Sequence, residues 1–313
     1  PRYEAARFDG FREELLQIAE RYRIAMTIPG IWIALLEVDP TTGIEHLWAD
    51  ALSDGDHGKA TATHRVASIS KLFTNTAAMV LMERGQIDLD VPIQTYLPEL
   101  EPENRYDAAI TLRLLMGHRS GIVREPPVGN YFDQSEPTLR KTVASLNHTK
   151  LVHAPSTTFK YSNAGIGIVG EVIARVTGMP FEAAVRDLVL APMELHDSDF
   201  APRSDLIKRQ AAGSMWTYDG RKIPTPKWRL GYVPAAELRS TTVDLVKFAR
   251  NWFPVAPNRV IRKATQESMW VPADNNTACG LGFFVSKLDG HLRVAHAGVV
   301  AGFASTLAAL PEQ

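Results

Sequence analysis

The sequence predicts an α/β protein of the α+β kind, in which an antiparallel sheet formed by both chain ends is flanked by helices and carries a large helical insertion. Strand-like apolar stretches cover residues 31–38 and 44–49 near the start, and residues 281–287, 291–295 and 304–310 near the end. Between them, from residue 68 to about residue 253, mostly helical patterns alternate with loops rich in Pro and Gly. Strands at both ends with helices between them favour a single sheet that brings the two ends together.

The 313 residues are enough for one large domain or two interlocked domains. We expect residues 1–62 and 256–313 to form the sheet domain and residues 63–255 to form the mainly helical domain. Helices are predicted at residues 8–23, 111–118, 165–177, 181–190 and 242–252. Hairpin loops are expected at residues 39–43 and 288–290, and a polar turn at residues 53–59.

Charge and cysteine content exclude several classes of function. Lys and Arg number 34 against 35 Asp and Glu, so the net charge is −1 and no nucleic-acid partner is expected. A single cysteine, Cys279, excludes an internal disulfide and a Cys-based zinc site. No apolar run is long enough to span a membrane. The chain begins at Pro1 without an initiator Met, so an upstream export signal could have been removed and the compartment stays open.

Ser68 and Lys71 stand three residues apart at the predicted start of a helix. Helix formers continue to residue 84 and Gly85 ends the run, and residues three apart on a helix share a face. The unpaired N–H groups and partial positive charge of a helix N-terminus favour an oxyanion and the neutral form of a lysine. The two residues are therefore a candidate nucleophile and its base. Taken alone, the pair is better explained as a capping serine and a solvated lysine, and only the motifs that accompany it favour the catalytic interpretation.

A second motif lies just before the helix predicted at residues 165–177. Tyr161 could share a proton with Lys71 and pass it to a leaving group, and the Asn163 amide could hold a substrate carbonyl. The alternative is a turn in which Ser162 or Asn163 caps the helix.

A third motif lies in the last third of the chain, where small residues follow a strand. Gly298 would let a substrate backbone approach the strand edge, and the N–H of Val299 could be a second oxyanion donor beside that of Ser68. His296 alone would more often be a structural histidine.

Two other patterns are not expected to carry function. Residues 165–170 match the dinucleotide fingerprint G-x-G-x-x-G, but a polar segment precedes them where a buried strand should be, so close helix packing is the better interpretation. The nine histidines include no H-E-x-x-H metal motif.

The three motifs, in this order, resemble those of serine beta-lactamases and penicillin-binding proteins, nearest the class C and family VIII esterase-like branch. They are Ser68-Ile69-Ser70-Lys71, Tyr161-Ser162-Asn163 and His296-Ala297-Gly298. Residues 114–122, 191–195 and 234–241 are similar to the same superfamily, so the resemblance covers most of the chain.

The resemblance implies a beta-lactamase/transpeptidase-like fold and a serine hydrolase. Ser68 would attack an ester or amide of a small molecule or peptide and form an acyl-enzyme, with Lys71 and Tyr161 managing the proton and Asn163 orienting the substrate. No metal or organic cofactor is needed. A periplasmic or secreted location is implied by the family alone.

Two departures qualify the resemblance. His296 stands where these enzymes usually have the lysine of Lys-Thr-Gly, and a largely neutral imidazole anchors a carboxylate less well than an ammonium does. This favours an esterase or a hydrolase of D-peptides over a beta-lactamase or DD-carboxypeptidase. The chain also stops at Gln313, before the family's last strand and C-terminal helix, so a missing segment or a partner is expected to complete the sheet. A catalytically idle scaffold of the same fold is the alternative to an enzyme.

Overall fold

The computed structural model describes residues 9–39, 41–53, 60–256, 259–274 and 277–312. The helices are α1 (Asp9–Ala25), α2 (Ser70–Glu83), α3 (Leu112–Met116), α4 (Leu139–Ala144), α5 (Asn163–Thr177), α6 (Phe181–Val185), α7 (Ser204–Lys208), α8 (Val233–Ala236), α9 (Thr242–Arg250) and α10 (Lys263–Ser268). The strands are β1 (Gly30–Val38), β2 (Glu45–Ser53), β3 (His64–Arg65), β4 (Ser214–Trp216), β5 (Lys222–Pro224), β6 (Arg239–Ser240), β7 (Phe284–Leu288), β8 (His291–Val300) and β9 (Phe303–Ala309).

The larger strands come from the two chain ends, and all of their pairings are antiparallel. β1 pairs with β2 as a hairpin, and β7, β8 and β9 form a three-stranded meander. The mixed helix and antiparallel-sheet class is confirmed. Within the described residues the two end sheets are not hydrogen-bonded to each other, and a groove lined by β1 and β9 lies between them. That a further segment or a partner completes the sheet stays a prediction.

The core of the helical region is built around α2. Every residue of α2 from Ser70 to Leu81 is buried, which requires neighbouring elements on all its sides. Phe73 of α2 stacks on Phe248 of α9, with ring centres 3.8 Å apart. On α5, a Cβ at Gly170 would lie 2.1 Å from Pro234 Cγ of α8. Gly170 of the false dinucleotide fingerprint therefore serves close helix packing, as predicted.

The main differences from the predicted elements are in strand and helix ends. β8 continues to Val300, so the third motif lies inside the strand and not beyond its exit. The helix predicted at residues 181–190 is α-helical only to Val185 and continues as a π-helical turn from Arg186 to Leu190. Most of the predicted polar turn at residues 53–59 lies outside the described residues.

No single helix of the described chain is long and apolar enough to cross a bilayer. α5 and the segment at residues 181–190 reach that length and apolarity only when they are taken together, and the chain bends by 81° between them.

Candidate active site

Ser68 and Lys71 are in contact at the entrance to α2. Ser68 is the middle residue of a 3₁₀ turn, Ala67–Ile69, and Lys71 is the second residue of α2. The Lys71 Nζ and Ser68 Oγ atoms are 2.9 Å apart. Ala67 has a φ of +50°, a left-handed conformation that costs a residue with a Cβ about 1 kcal/mol or more. The backbone is therefore bent at the residue before Ser68, and the Ser68 side chain stays partly exposed while its neighbours are buried.

The Lys71 side chain is completely buried and makes no salt bridge among the described residues. Its amine also donates to the carbonyl of Ala235 in α8 at 2.8 Å. Burial lowers the pKa of Lys71 well below its usual value, with the charge of Glu125 opposing this shift and that of Arg124 adding to it. A neutral amine can donate one N–H to Ala235 and accept the hydroxyl proton of Ser68 with its lone pair. Lys71 thus has the environment of a base, not of a solvated cation.

Tyr161 lies against both members of this pair. Lys71 Nζ is 4.8 Å from the centre of the Tyr161 ring, and the ring of His118 packs against it at 4.3 Å. Burial raises the pKa of Tyr161, and interaction with the Ser68 hydroxyl offsets part of the rise. The phenol is therefore protonated at neutral pH and can donate a proton to a reacting group. The capping alternative is also realised beside it, because Ser162 caps α5 by accepting from the N–H of Gly165 at 2.8 Å.

Among the strands that the structure describes, none pairs with the β7 side of the second half of β8, and this main-chain edge lies beside Ser68. β7 pairs with β8 only as far as Ala295, and β9 pairs with the opposite edge through Val300. Because a two-residue turn joins Val300 to Phe303, hydrogen-bonded pairs on the β9 side fall on even-numbered residues of β8. The N–H of Val299 therefore points to the edge that β7 leaves open. The Val299 side chain is exposed, so this residue faces the site with its main-chain N–H and carbonyl groups.

Gly298 allows β8 to approach the Ser68 turn. A Cβ built at Gly298 would lie 2.2 Å from the carbonyl oxygen of Val66 and 3.0 Å from the nitrogen of Ser68. The Ser305 hydroxyl on β9 donates to the same Val66 carbonyl at 2.9 Å and fixes the strand pair against the turn. Only glycine permits this approach without a shift of the backbone. The contact brings the Ser68 nitrogen next to the strand that carries Val299.

His296 is a buried, neutral residue in this structure. Its Nδ1 lies 2.6 Å from the carbonyl oxygen of Ala297, which makes Nδ1 the protonated nitrogen and leaves Nε2 as an acceptor. Burial is the main cause that lowers the pKa of His296 to about 4. It therefore carries no charge at neutral pH with which to hold a carboxylate.

Asn163 is the first residue of α5 and is buried. Its Nδ2 donates one of its two N–H groups to Glu125 Oε1 at 2.6 Å. The second N–H and the acceptor Oδ1 remain for a substrate. That Asn163 holds a substrate carbonyl stays a prediction.

Four groups at the site have no assigned role in the sequence prediction: His118, Arg124, Glu125 and the Ala235 carbonyl. His118 lies within the stretch at residues 114–122 that carries the family resemblance, and Arg124 and Glu125 form a charged pair that begins two residues after its end. That placement is a usable sequence indication for the side chains. The Ala235 carbonyl has none, because a main-chain acceptor is provided by any residue.

No group of three or more His, Cys, Asp or Glu side chains suited to a metal ion occurs in the part of the chain that the structure describes. Cys279 is buried, and burial raises the pKa of its thiol to about 12, so it is protonated and a poor nucleophile.

The family model described as Beta-lactamase matches residues 45–313, which include all of the candidate site residues. The chain belongs to the beta-lactamase family. Membership shows the fold and a family of serine hydrolases, and it leaves the reaction of this member open.

Among curated relatives, Protein flp of Staphylococcus aureus (strain MRSA252) is 24% identical over 257 residues, which are 81% of this chain and 51% of that protein. The chain thus spans about half the length of this relative. Two solved structures share the fold. The octameric penicillin-binding protein homologue of Pyrococcus abyssi has a TM-score of 0.81 at 21% identity, covering 96% of this chain and 71% of that one. The D-stereospecific amidohydrolase of a Streptomyces species has a TM-score of 0.73 at 23% identity, covering 91% and 86%.

Proposed function

We propose that this member of the beta-lactamase family is an active serine hydrolase that cleaves an ester or amide through an acyl-enzyme on Ser68. One observation carries the proposal: a fully buried lysine with a strongly lowered pKa lies 2.9 Å from a partly exposed serine hydroxyl. A scaffold without activity would gain nothing from burying this amine, because burial of an ionisable group without a charged partner costs stability.

In the proposed acylation step, the Lys71 lone pair takes the Ser68 proton as Oγ bonds to the substrate carbonyl carbon. The N–H groups of Ser68 and Val299 receive the oxyanion, and each such donor lowers the barrier by about 3 kcal/mol in comparable sites. The transient Lys71 ammonium is stabilised by the Ala235 carbonyl, by the face of the Tyr161 ring and by the charge of Glu125.

The leaving group then needs a proton. The Tyr161 phenol lies near Ser68, and Lys71 Nζ lies over its ring. The phenol is suited to donate its proton to the departing oxygen or nitrogen. The Lys71 ammonium then returns a proton to the phenolate. Bond cleavage leaves the Ser68 ester and a neutral Lys71. A water molecule, deprotonated by the same base, hydrolyses that ester and returns Ser68 to its hydroxyl form.

The neutral His296 guides the choice of substrate. Without an ammonium at this position, an anionic carboxylate such as that of a beta-lactam or of a terminal D-alanine has a weak anchor on β8. We therefore favour an esterase or a D-peptide or D-amide hydrolase, and a beta-lactamase or DD-carboxypeptidase is the alternative.

Hydrolysis of a substrate panel tests the proposal. Rates on short-chain p-nitrophenyl esters, nitrocefin and D-alanyl peptides would be compared for the wild type, Ser68→Ala and a control, Ser135→Ala, which changes an exposed loop serine. We expect activity in the wild type and the control, highest on esters or D-amides, and none above background in Ser68→Ala. Equal rates in the wild type and Ser68→Ala would overturn the proposal and favour an idle scaffold.

A further inference from the structure

His118 is a buried histidine beside the site that has no part in the proposed reaction. It follows α3, is 1% exposed and has a φ of +57°. This left-handed backbone conformation strains a residue that carries a Cβ, and it persists only where the surrounding structure holds it. The contacts of His118 therefore indicate which segment the strained turn serves.

His118 bonds to the main chain on both sides of Tyr161. Its carbonyl oxygen accepts from the N–H of Lys160 at 2.8 Å, and its Nδ1 accepts from the N–H of Ser162 at 3.2 Å. The His118 and Tyr161 rings are 4.3 Å apart with an interplanar angle of 33°, and the Phe159 ring contacts the imidazole edge-on at 6.0 Å. His118 thus contacts three consecutive residues, with Tyr161 in the middle.

The bond to Ser162 requires a neutral imidazole. An Nδ1 that accepts a hydrogen bond carries no proton, so the proton of the neutral ring is on Nε2. Burial lowers the pKa of His118 well below its usual value, and positive charge on Lys71, His296 and Arg124 adds to this shift. Protonation of Nδ1 would set two donors against each other and break the bond to Ser162. At neutral pH His118 therefore holds the segment in a single protonation state.

The other cationic side chains at the Tyr161 ring do not fix it in the same way. The guanidinium of Arg124 lies 5.3 Å from the ring centre, but the Arg124 side chain is 58% exposed and keeps much of its rotamer freedom. Lys71 Nζ lies 4.8 Å from the ring centre and is itself a reacting group in the proposed mechanism. Among these three contacts, His118 is the one that is buried and hydrogen-bonded to the chain around Tyr161.

We propose that His118 is a positioning residue for Tyr161, and that it holds the phenol where it can donate a proton to the group leaving from the Ser68 adduct. Its ring sets the plane of the phenol, and its bonds to Lys160 and Ser162 fix the peptide units on either side. Displacement of a catalytic group by about 1 Å can cost about 10²-fold in rate. The inference rests on the proposed hydrolase function and adds a residue that acts through the phenol.

A double-mutant cycle with Tyr161→Phe tests whether His118 acts through the phenol. His118→Gly removes the ring and Nδ1 and accepts the positive φ, whereas His118→Asn also tolerates this φ and keeps an oxygen for the Ser162 N–H. His148→Asn, at an exposed position, is the control. Values of kcat/KM on phenyl acetate would be expressed per Ser68 labelled by a fluorophosphonate, so that loss of folded protein is not counted as loss of rate.

His118→Gly should lower kcat/KM by about tenfold or more when Tyr161 is present, and by about twofold or less in the Tyr161→Phe background, where the phenol is already absent. His118→Asn should show the same pattern with a smaller loss, and His148→Asn should change nothing. Equal factors in the two backgrounds, or no loss in His118→Gly, would overturn the proposal. Absence of folded protein in both His118 variants would also overturn it, because His118 would then be a residue required for folding.

The leaving group provides a second readout that a loss of stability does not change. p-Nitrophenolate departs without a proton more readily than phenolate, so His118→Gly and Tyr161→Phe should both cost less on p-nitrophenyl acetate than on phenyl acetate. Equal losses on the two esters in His118→Gly would contradict the inference. Failure of the proposed function looks different, because Ser68→Ala would then hydrolyse both esters as fast as the wild type.

Nitrogen-15 NMR of the histidine side chains tests the geometry without any substrate. The wild-type His118 should be neutral, with its proton on Nε2, between about pH 6 and pH 8, and the exposed His148 should titrate near the ordinary histidine pKa of about 6.5. A His118 that titrates together with His148, or that carries its proton on Nδ1, would overturn the proposal.

Discussion

Replacing Lys71 by Met separates the catalytic role of the amine from its structural cost. Met has a similar length and volume and no charge, so the space within the core stays filled. The variant loses the two hydrogen bonds of 2.9 and 2.8 Å to Ser68 and Ala235. At about 1 kcal/mol each, and with the buried Ala235 carbonyl left without a donor, this loss amounts to a few kcal/mol.

The opposing effect is the cost of keeping the amine neutral. In the unfolded chain the lysine is protonated up to its usual pKa, whereas in the folded protein its pKa lies well below 10.5. Between these two pKa values the unfolded state binds one more proton than the folded state. The free energy of unfolding of the wild type therefore rises with pH in this window, by about 1.4 kcal/mol per pH unit relative to the variant.

Urea unfolding of the wild type and Lys71→Met at several pH values from 6 to 9 measures this difference. We expect the variant to gain relative stability as the pH falls and to lose hydrolysis by at least about 10²-fold, the usual contribution of a general base. Lys141→Met, at an exposed position of α4, is the matched control and should give a difference that does not change with pH. A difference between the wild type and Lys71→Met that is constant with pH would refute the reasoning, because Lys71 would then be protonated to the same extent in both states.

Three further substitutions test other parts of the site. Tyr161→Phe keeps the ring that contacts His118 and Lys71 but removes the proton donor. We expect kcat to fall by about 10²-fold or more, with little change in melting temperature. An unchanged kcat would exclude the phenol from proton transfer. Gly298→Ala should lower stability by about 1–3 kcal/mol and reduce kcat, because its Cβ would meet the Val66 carbonyl at 2.2 Å. Ala297→Ser, at the adjacent exposed position, is the control and should change neither stability nor kcat. Equal effects of the two substitutions would argue against the close approach of β8 to the Ser68 turn. His296→Gln should reduce acid sensitivity. Because the pKa of His296 is about 4 in the folded protein and about 6.5 when unfolded, the wild type should lose about 3 kcal/mol more than the variant between pH 7 and pH 4, and identical pH profiles of unfolding would contradict the neutral, buried histidine.

The sequence predicted the elements and the order of the three motifs because these depend on local patterns. Helical spacing alone brings Ser68 and Lys71 onto one face, and the alternation of strand and turn residues reveals the hairpin of β7 and β8. The family resemblance placed Tyr161 beside them, and the structure brings its ring to 4.8 Å from Lys71 Nζ. The catalytic roles of these residues stay predictions until activity is measured.

The remaining features depend on contacts between distant segments. Lys71 contacts Ala235 across 164 residues, and Asn163 contacts Glu125 across 38. No spacing rule links such positions, and the direction of the Asn163 amide follows only from the charge of its neighbour. The absence of hydrogen bonds between β1 and β9 in the described structure also depends on how the two sheets are placed, which the sequence pattern does not give. Tertiary packing, and not local preference, decides these points.

Mass spectrometry of the protein after reaction with a fluorophosphonate probe tests the central claim most directly, since it reports on one serine and its base together. The account predicts a single adduct on the peptide that contains Ser68, no adduct in Ser68→Ala, and a labelling rate that falls as the pH drops through the pKa of Lys71 and is lost in Lys71→Met. An adduct on a different residue, or labelling of Ser68 at the same rate in Lys71→Met as in the wild type, would contradict it.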